Sequence, residues 1–66
     1  MKLELKCQTV NTDKLVITTN NHTQEVVFRP YNEFYPGLSV IINNKQTSEL
    51  IRFLQTHLTK ILLEES

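Results

Sequence analysis

The 66 residues include one cysteine, one glycine, two prolines and no tryptophan. A single cysteine, Cys7, excludes an intramolecular disulfide. With two histidines it falls short of the four ligands of a structural zinc site, and there is no C-x-x-C pair. No metal and no cofactor are expected. There is no excess of either charge: seven basic residues balance seven acidic ones. The balance also holds locally, with Lys2, Lys6, Lys14 and Arg29 set against Glu4, Asp13, Glu25 and Glu33 over residues 1–44. The cation cluster that non-specific duplex binding requires is therefore not visible in the sequence, and charge does not favour nucleic acid as a partner.

Long apolar runs are also missing. No stretch approaches the roughly 18 apolar residues of a membrane span. Met1 to Lys6 alternates apolar and charged residues, whereas a secretory leader needs about 7–15 consecutive apolar ones. The expectation is a cytoplasmic protein with no membrane segment. Phosphate-loop, H-E-x-x-H, G-x-S-x-G and EF-hand patterns are all lacking, which argues against the common enzyme classes.

What is present is periodicity. Leu3, Leu5 and Cys7 alternate with Glu4, Lys6 and Gln8, the period of two of a half-buried strand. Turn chemistry at Asn11–Lys14 precedes a β-branched run at 15–19, and Asn20–Thr23 precedes a third run ending near Arg29. Pro30 has no N–H to give a ladder, so it ends or edges that strand. Pro36-Gly37 fits a type II turn, in which glycine supplies the positive φ. Strands are expected at about 2–10, 14–20, 24–29 and 38–43, and a helix at about 45–64, with Asn44 or else Thr47 as its N-cap. The fold class is α+β: one domain over 1–66, a four-stranded antiparallel sheet followed by a long C-terminal amphipathic helix packed on one face, ββββα. Strand order is left open.

The helix carries Leu50, Ile51, Leu54, Leu58, Ile61 and Leu62 within an arc of about 120°. Phe53 and Leu63 lie outside it. The sheet shows a similar surplus: if Leu15, Ile17, Val26, Phe28, Val40 and Ile42 face the helix, then Val16, Val27 and Ile41 face away, and Val10 joins them. A chain this short buries only about 60% of its unfolded surface, so a partner subunit is the expected source of added stability. The expectation is a homodimer using Phe53, Leu63, Val16, Val27 and Ile41, through either the sheet or the helix edge.

Three of the five aromatics, Tyr31, Phe34 and Tyr35, sit beside Arg29 in the loop at 29–37. Aromatic and arginine side chains dominate binding hot spots, and they also stack on unpaired bases. Cys7 is expected to face the core, with His57 able to approach it; as a buried small hydrophobe it is structural rather than nucleophilic. The order of elements, with Gly37–Ile42 (G-h-S-h-x-h, h apolar) feeding the helix, is similar in architecture over Val26 to Leu58 to the transcriptional-coactivator family of single-strand DNA-binding dimers. That resemblance implies helices that pair two subunits and curved sheets that bind unpaired strands; no binding residue is carried over. The expected function is a small, non-catalytic interaction or regulatory protein, homodimeric, that binds a partner protein through the 29–37 loop or a sheet edge. The alternative is a single-stranded nucleic-acid binder using the sheet and the aromatic loop.

Overall fold

The structure, a computed structural model, describes residues 1–65. It is an α+β fold of four antiparallel strands and one helix: β1 Lys2–Lys6, β2 Lys14–Asn20, β3 Glu25–Tyr31, β4 Val40–Ile42 and α1 Asn44–Glu65. The strands follow chain order β1-β2-β3-β4, a simple meander.

Hydrogen bonds in the turns explain where the strands stop. The Cys7 N–H donates to the Asp13 carbonyl (2.9 Å) and the Asp13 N–H to the Val10 carbonyl (3.1 Å). β1 therefore ends at Lys6 and not near residue 10, and Val10 lies in the turn instead of on a sheet face. At the next reversal, Asn20 Oδ1 accepts from the His22 N–H (2.9 Å), an Asx turn. Gln24 completes this turn in the left-handed region at φ 58°. Pro30 lies inside β3, opposite Leu15, and the strand runs on to Tyr31, two residues past its expected end. Its carbonyl accepts from the Gly37 N–H (2.6 Å) on the side away from β2. In an antiparallel strand a residue's N–H and C=O point the same way, so the missing donor also lies outside the β2–β3 ladder.

The register divides the sheet into two chemically distinct faces. Lys2, Thr18, Val27 and Ile41 align across it, as do Leu3, Ile17, Phe28 and Val40, then Glu4, Val16 and Arg29. Because side chains alternate along a strand, Leu3, Leu5, Leu15, Ile17, Val26, Phe28, Val40 and Ile42 share one face. Lys2, Glu4, Lys6, Lys14, Arg29 and Tyr31 share the other with Val16, Val27 and Ile41.

The helix starts one residue earlier than expected, and its cap is Asn43 in place of Asn44 or Thr47. Asn43 Oδ1 accepts from the Gln46 N–H (2.9 Å), and Gln46 Oε1 accepts from the Asn43 N–H (3.1 Å). This reciprocal pair is a capping box with glutamine at N3. The Thr47 hydroxyl donates to the Asn43 carbonyl (2.8 Å), and Asn44 Nδ2 donates to Gln24 Oε1 (2.7 Å), tying the helix start to the β2–β3 turn.

Little of the apolar surface is covered. Val16, 7% exposed, is the one buried hydrophobe among the described residues. It stands on the polar face of an inner strand, between Glu4 and Arg29 across the sheet and Lys14 and Thr18 along it. The helix meets the sheet mainly at β3. Ile51, Leu54, Leu58 and Leu62 remain between 50% and 58% exposed, so one chain alone does not bury the stripe. The radius of gyration, 14.2 Å, exceeds the about 11 Å expected of a compact chain this long.

Asn43→Ala removes the capping acceptor and should lower stability by about 1 kcal/mol. Urea unfolding will show a smaller loss for Asn44→Ala, which forfeits one exposed side-chain bond; equal losses would place the cap wrongly.

Candidate interaction surfaces

The aromatic segment is a tight hairpin tip. Asn32 Oδ1 accepts from the N–H groups of Phe34 (2.8 Å) and Tyr35 (2.9 Å), while the Asn32 N–H donates to the Tyr35 carbonyl (3.2 Å). Tyr31 and Pro36 form a β-bridge below it. Backbone polar groups are thus satisfied inside the tip, which pushes Phe34 and Tyr35 outward, 82% and 64% exposed. Gly37 closes the base, but not through a positive φ, since no glycine adopts one. It is needed because the chains come close: a Cβ there would lie 2.8 Å from Pro30 Cγ and 3.2 Å from its carbonyl oxygen.

The four expected partner-binding residues divide between two places. Phe34 and Tyr35 share the tip. Tyr31 is half-buried at the end of β3, with Lys14 Nζ 5.5 Å from its ring centre. Arg29 lies on the polar face and donates from Nε to Ser39 Oγ (2.7 Å). All four cations of residues 1–44, Lys2, Lys6, Lys14 and Arg29, thereby share one sheet face, a grouping that emerges only from the register. Glu4 lies among them, 3.4 Å from both Lys2 and Lys14. Hydrogen bonding to Lys14 first, and then to Lys2, holds its carboxyl below the usual carboxylate range.

Cys7 is exposed in the β1–β2 turn, contrary to the expected core position. Its Sγ is hydrogen-bonded with Thr9 Oγ1 (3.4 Å) and accepts from the Val10 N–H (3.4 Å), so its partners are turn groups and not His57. The Thr9 hydroxyl, followed by the Val10 and Thr9 amides, lowers the thiol pKa. Among the described residues no group of three His, Cys, Asp or Glu side chains is placed to hold a metal ion. No described helix is long and apolar enough to cross a membrane.

Much of the exposed surface is apolar. On the sheet, Leu3, Leu5 and Val40 are between 47% and 59% exposed, on the face they share with half-buried Ile17 and Phe28. The helix stripe adds four more open side chains. Of the expected dimer residues, Val16 is already covered within the chain and Val27 is half-buried, whereas Ile41 (56%) and Phe53 (68%) are exposed. Phe53 projects to one side of the stripe, about 120° around α1 from its centre, in a shallow groove with Lys45, Glu49, Arg52 and Lys60. Every wall of that groove belongs to the same helix, so it has no second element to enclose a ligand. Leu63 is exposed near the helix end. Helical spacing alone does not show this wider apolar surface, because a stripe of that width suffices to cover one sheet face.

No protein-family model, curated protein or solved structure matches this chain. The likeness of Val26 to Leu58 to the coactivator family draws no support from them.

Two measurements test this geometry. Gly37→Ala forces Pro30 aside and should cost about 1–3 kcal/mol, the usual range for overpacking, by urea unfolding; an unchanged midpoint would contradict the close approach. The alkylation rate of Cys7 against pH should show a midpoint below that of an ordinary thiol, and Thr9→Val should move it upward. A midpoint indifferent to Thr9 would remove the hydroxyl as its cause.

Proposed function

We propose that this chain is a small, non-catalytic interaction protein that works as a homodimer and offers the aromatic hairpin tip to a partner protein. One observation carries the reading: a single buried hydrophobe among the described residues, with the apolar sheet face and the helix stripe both half open. Contiguous apolar surface of this extent marks association sites in soluble proteins. Phe34 and Tyr35 stand apart from it, on a hydrogen-bonded tip, and suit a second contact of the aromatic hot-spot kind. A reducing compartment such as the cytoplasm suits an exposed free thiol at Cys7.

Size-exclusion chromatography with light scattering should give twice the 7.7 kDa chain mass. A monomer at high micromolar concentration would refute the dimer. Phe34→Ser with Tyr35→Ser should leave that mass unchanged, since the tip lies outside the apolar face.

A second reading rests on the polar face, where Lys2, Lys6, Lys14 and Arg29 stand with Tyr31. Cations beside an aromatic ring are the elements of a single-strand nucleic-acid platform. Glu4 and Glu25 on the same face reduce its net charge, which ranks this reading second. A labelled oligonucleotide that binds at low salt and dissociates steeply as salt rises would favour it; no shift at low salt would eliminate it.

A further inference from the structure

We infer that two copies of this chain exchange helices, each laying the stripe of its α1 on the apolar sheet face of the other. The inference rests on the homodimer proposed above and specifies how that dimer is built.

The connection between β4 and α1 is the first ground. β4 ends at Ile42 and α1 begins at Asn44, so Asn43 is the entire link. Links between a strand and a helix that folds back on its own sheet commonly take about 2–6 residues. Here the one available residue is held by the capping box with Gln46, and the next is tied to Gln24. The exit direction of the helix is thus set by hydrogen bonds, and the helix leaves its own sheet face half open. A short, constrained hinge is the feature that favours exchange of an element between identical chains.

Area is the second ground. A compact monomer of 7.7 kDa has about 4,300 Å² of accessible surface, and this chain has 6,023 Å². The excess is about 1,700 Å² per chain, so two chains would bury about 3,400 Å² together, inside the range of obligate homodimers. Packing the two apolar sheet faces on each other would cover only a small part of it. Four strands spaced about 4.8 Å apart, about 10 to 23 Å long, present no more than about 400 Å² per face, or about 800 Å² for the pair. That falls short of a standard interface and leaves both helix stripes in water. Reciprocal exchange covers a sheet face and a stripe in each copy, and the two contacts are related by the two-fold symmetry that closes a dimer.

The length of α1 is consistent with this. Twenty-two residues span about 33 Å, while the seven-residue strands β2 and β3 span about 23 Å. An exchanged helix can cross the partner's sheet completely and still leave its own first turn at the hinge.

The test uses the unaltered protein. Isotope-labelled and unlabelled chains are unfolded together, refolded and examined by filtered NOE spectroscopy, which reports contacts between chains alone. Exchange predicts interchain contacts from the methyls of Leu54 and Leu58 to Ile17 and Phe28. A dimer whose helix–sheet contacts all lie within one chain would overturn the inference and leave the dimer standing. Interchain contacts only between Leu3, Leu5 and Val40 of the two sheets would overturn it likewise. A monomeric mass would remove both readings. A Gly-Ser-Gly-Ser segment inserted between Ile42 and Asn43 should free the helix to close on its own sheet and shift the mass to that of a monomer; an unchanged dimer with interchain helix contacts would contradict the part played by the hinge.

Discussion

The direction in which α1 leaves the sheet is set by the hydrogen bonds around Asn43, and the distribution of buried surface follows from it. With Asn43 capped by Gln46 and Asn44 held to Gln24, the helix has no slack in which to turn back along its length. Its stripe and the apolar sheet face stay half open although they are complementary in chemistry. A chain of this size has little stability to spare. Leaving Leu54, Leu58, Leu3 and Val40 half exposed is a large fraction of what it has, and on the proposed dimer that surface is what association covers.

The same register that gathers the apolar side chains on one face gathers the cations on the other. Strand alternation separates Leu3 and Leu5 from Lys2, Glu4 and Lys6, and pairing with β2 and β3 adds Lys14 and Arg29 to the polar side. Val16 is buried on that side because it sits on an inner strand among longer side chains, whose stems can cover a small hydrophobe. The two faces are therefore suited to different tasks: the apolar one to assembly, the polar one to contact with solvent or a charged ligand. The hairpin tip at 32–35 is separate from both.

Much of the architecture was legible in the residues. The period of two in β1, the β-branched run in β2 and the helical spacing from Leu50 to Leu62 specified the ββββα order, and Asn20 read correctly as turn chemistry. Misplaced boundaries have local causes. Thr9 and Val10 are good strand formers and extend the strand pattern to residue 10, while the Cys7–Asp13 and Asp13–Val10 bonds turn the chain first. Pro30 reads as a strand end although β3 continues to Tyr31, because which way its missing N–H faces depends on the neighbouring strand. Gly37 was assigned a positive φ that it does not adopt; its role lies in a contact with Pro30, seven residues away. Sequence spacing alone did not reveal that the helix would leave its own sheet open, because that depends on the hinge geometry. Nor did it reveal the shared face of Lys2, Lys6, Lys14 and Arg29, which needs the register.

If association supplies the missing core, folding and assembly are one equilibrium, and apparent stability depends on protein concentration by mass action. The most direct measurement is thermal unfolding across a wide range of chain concentrations. The account predicts a midpoint that rises steadily with concentration. A midpoint that stays constant over that range would mean that one chain folds by itself, and would contradict it.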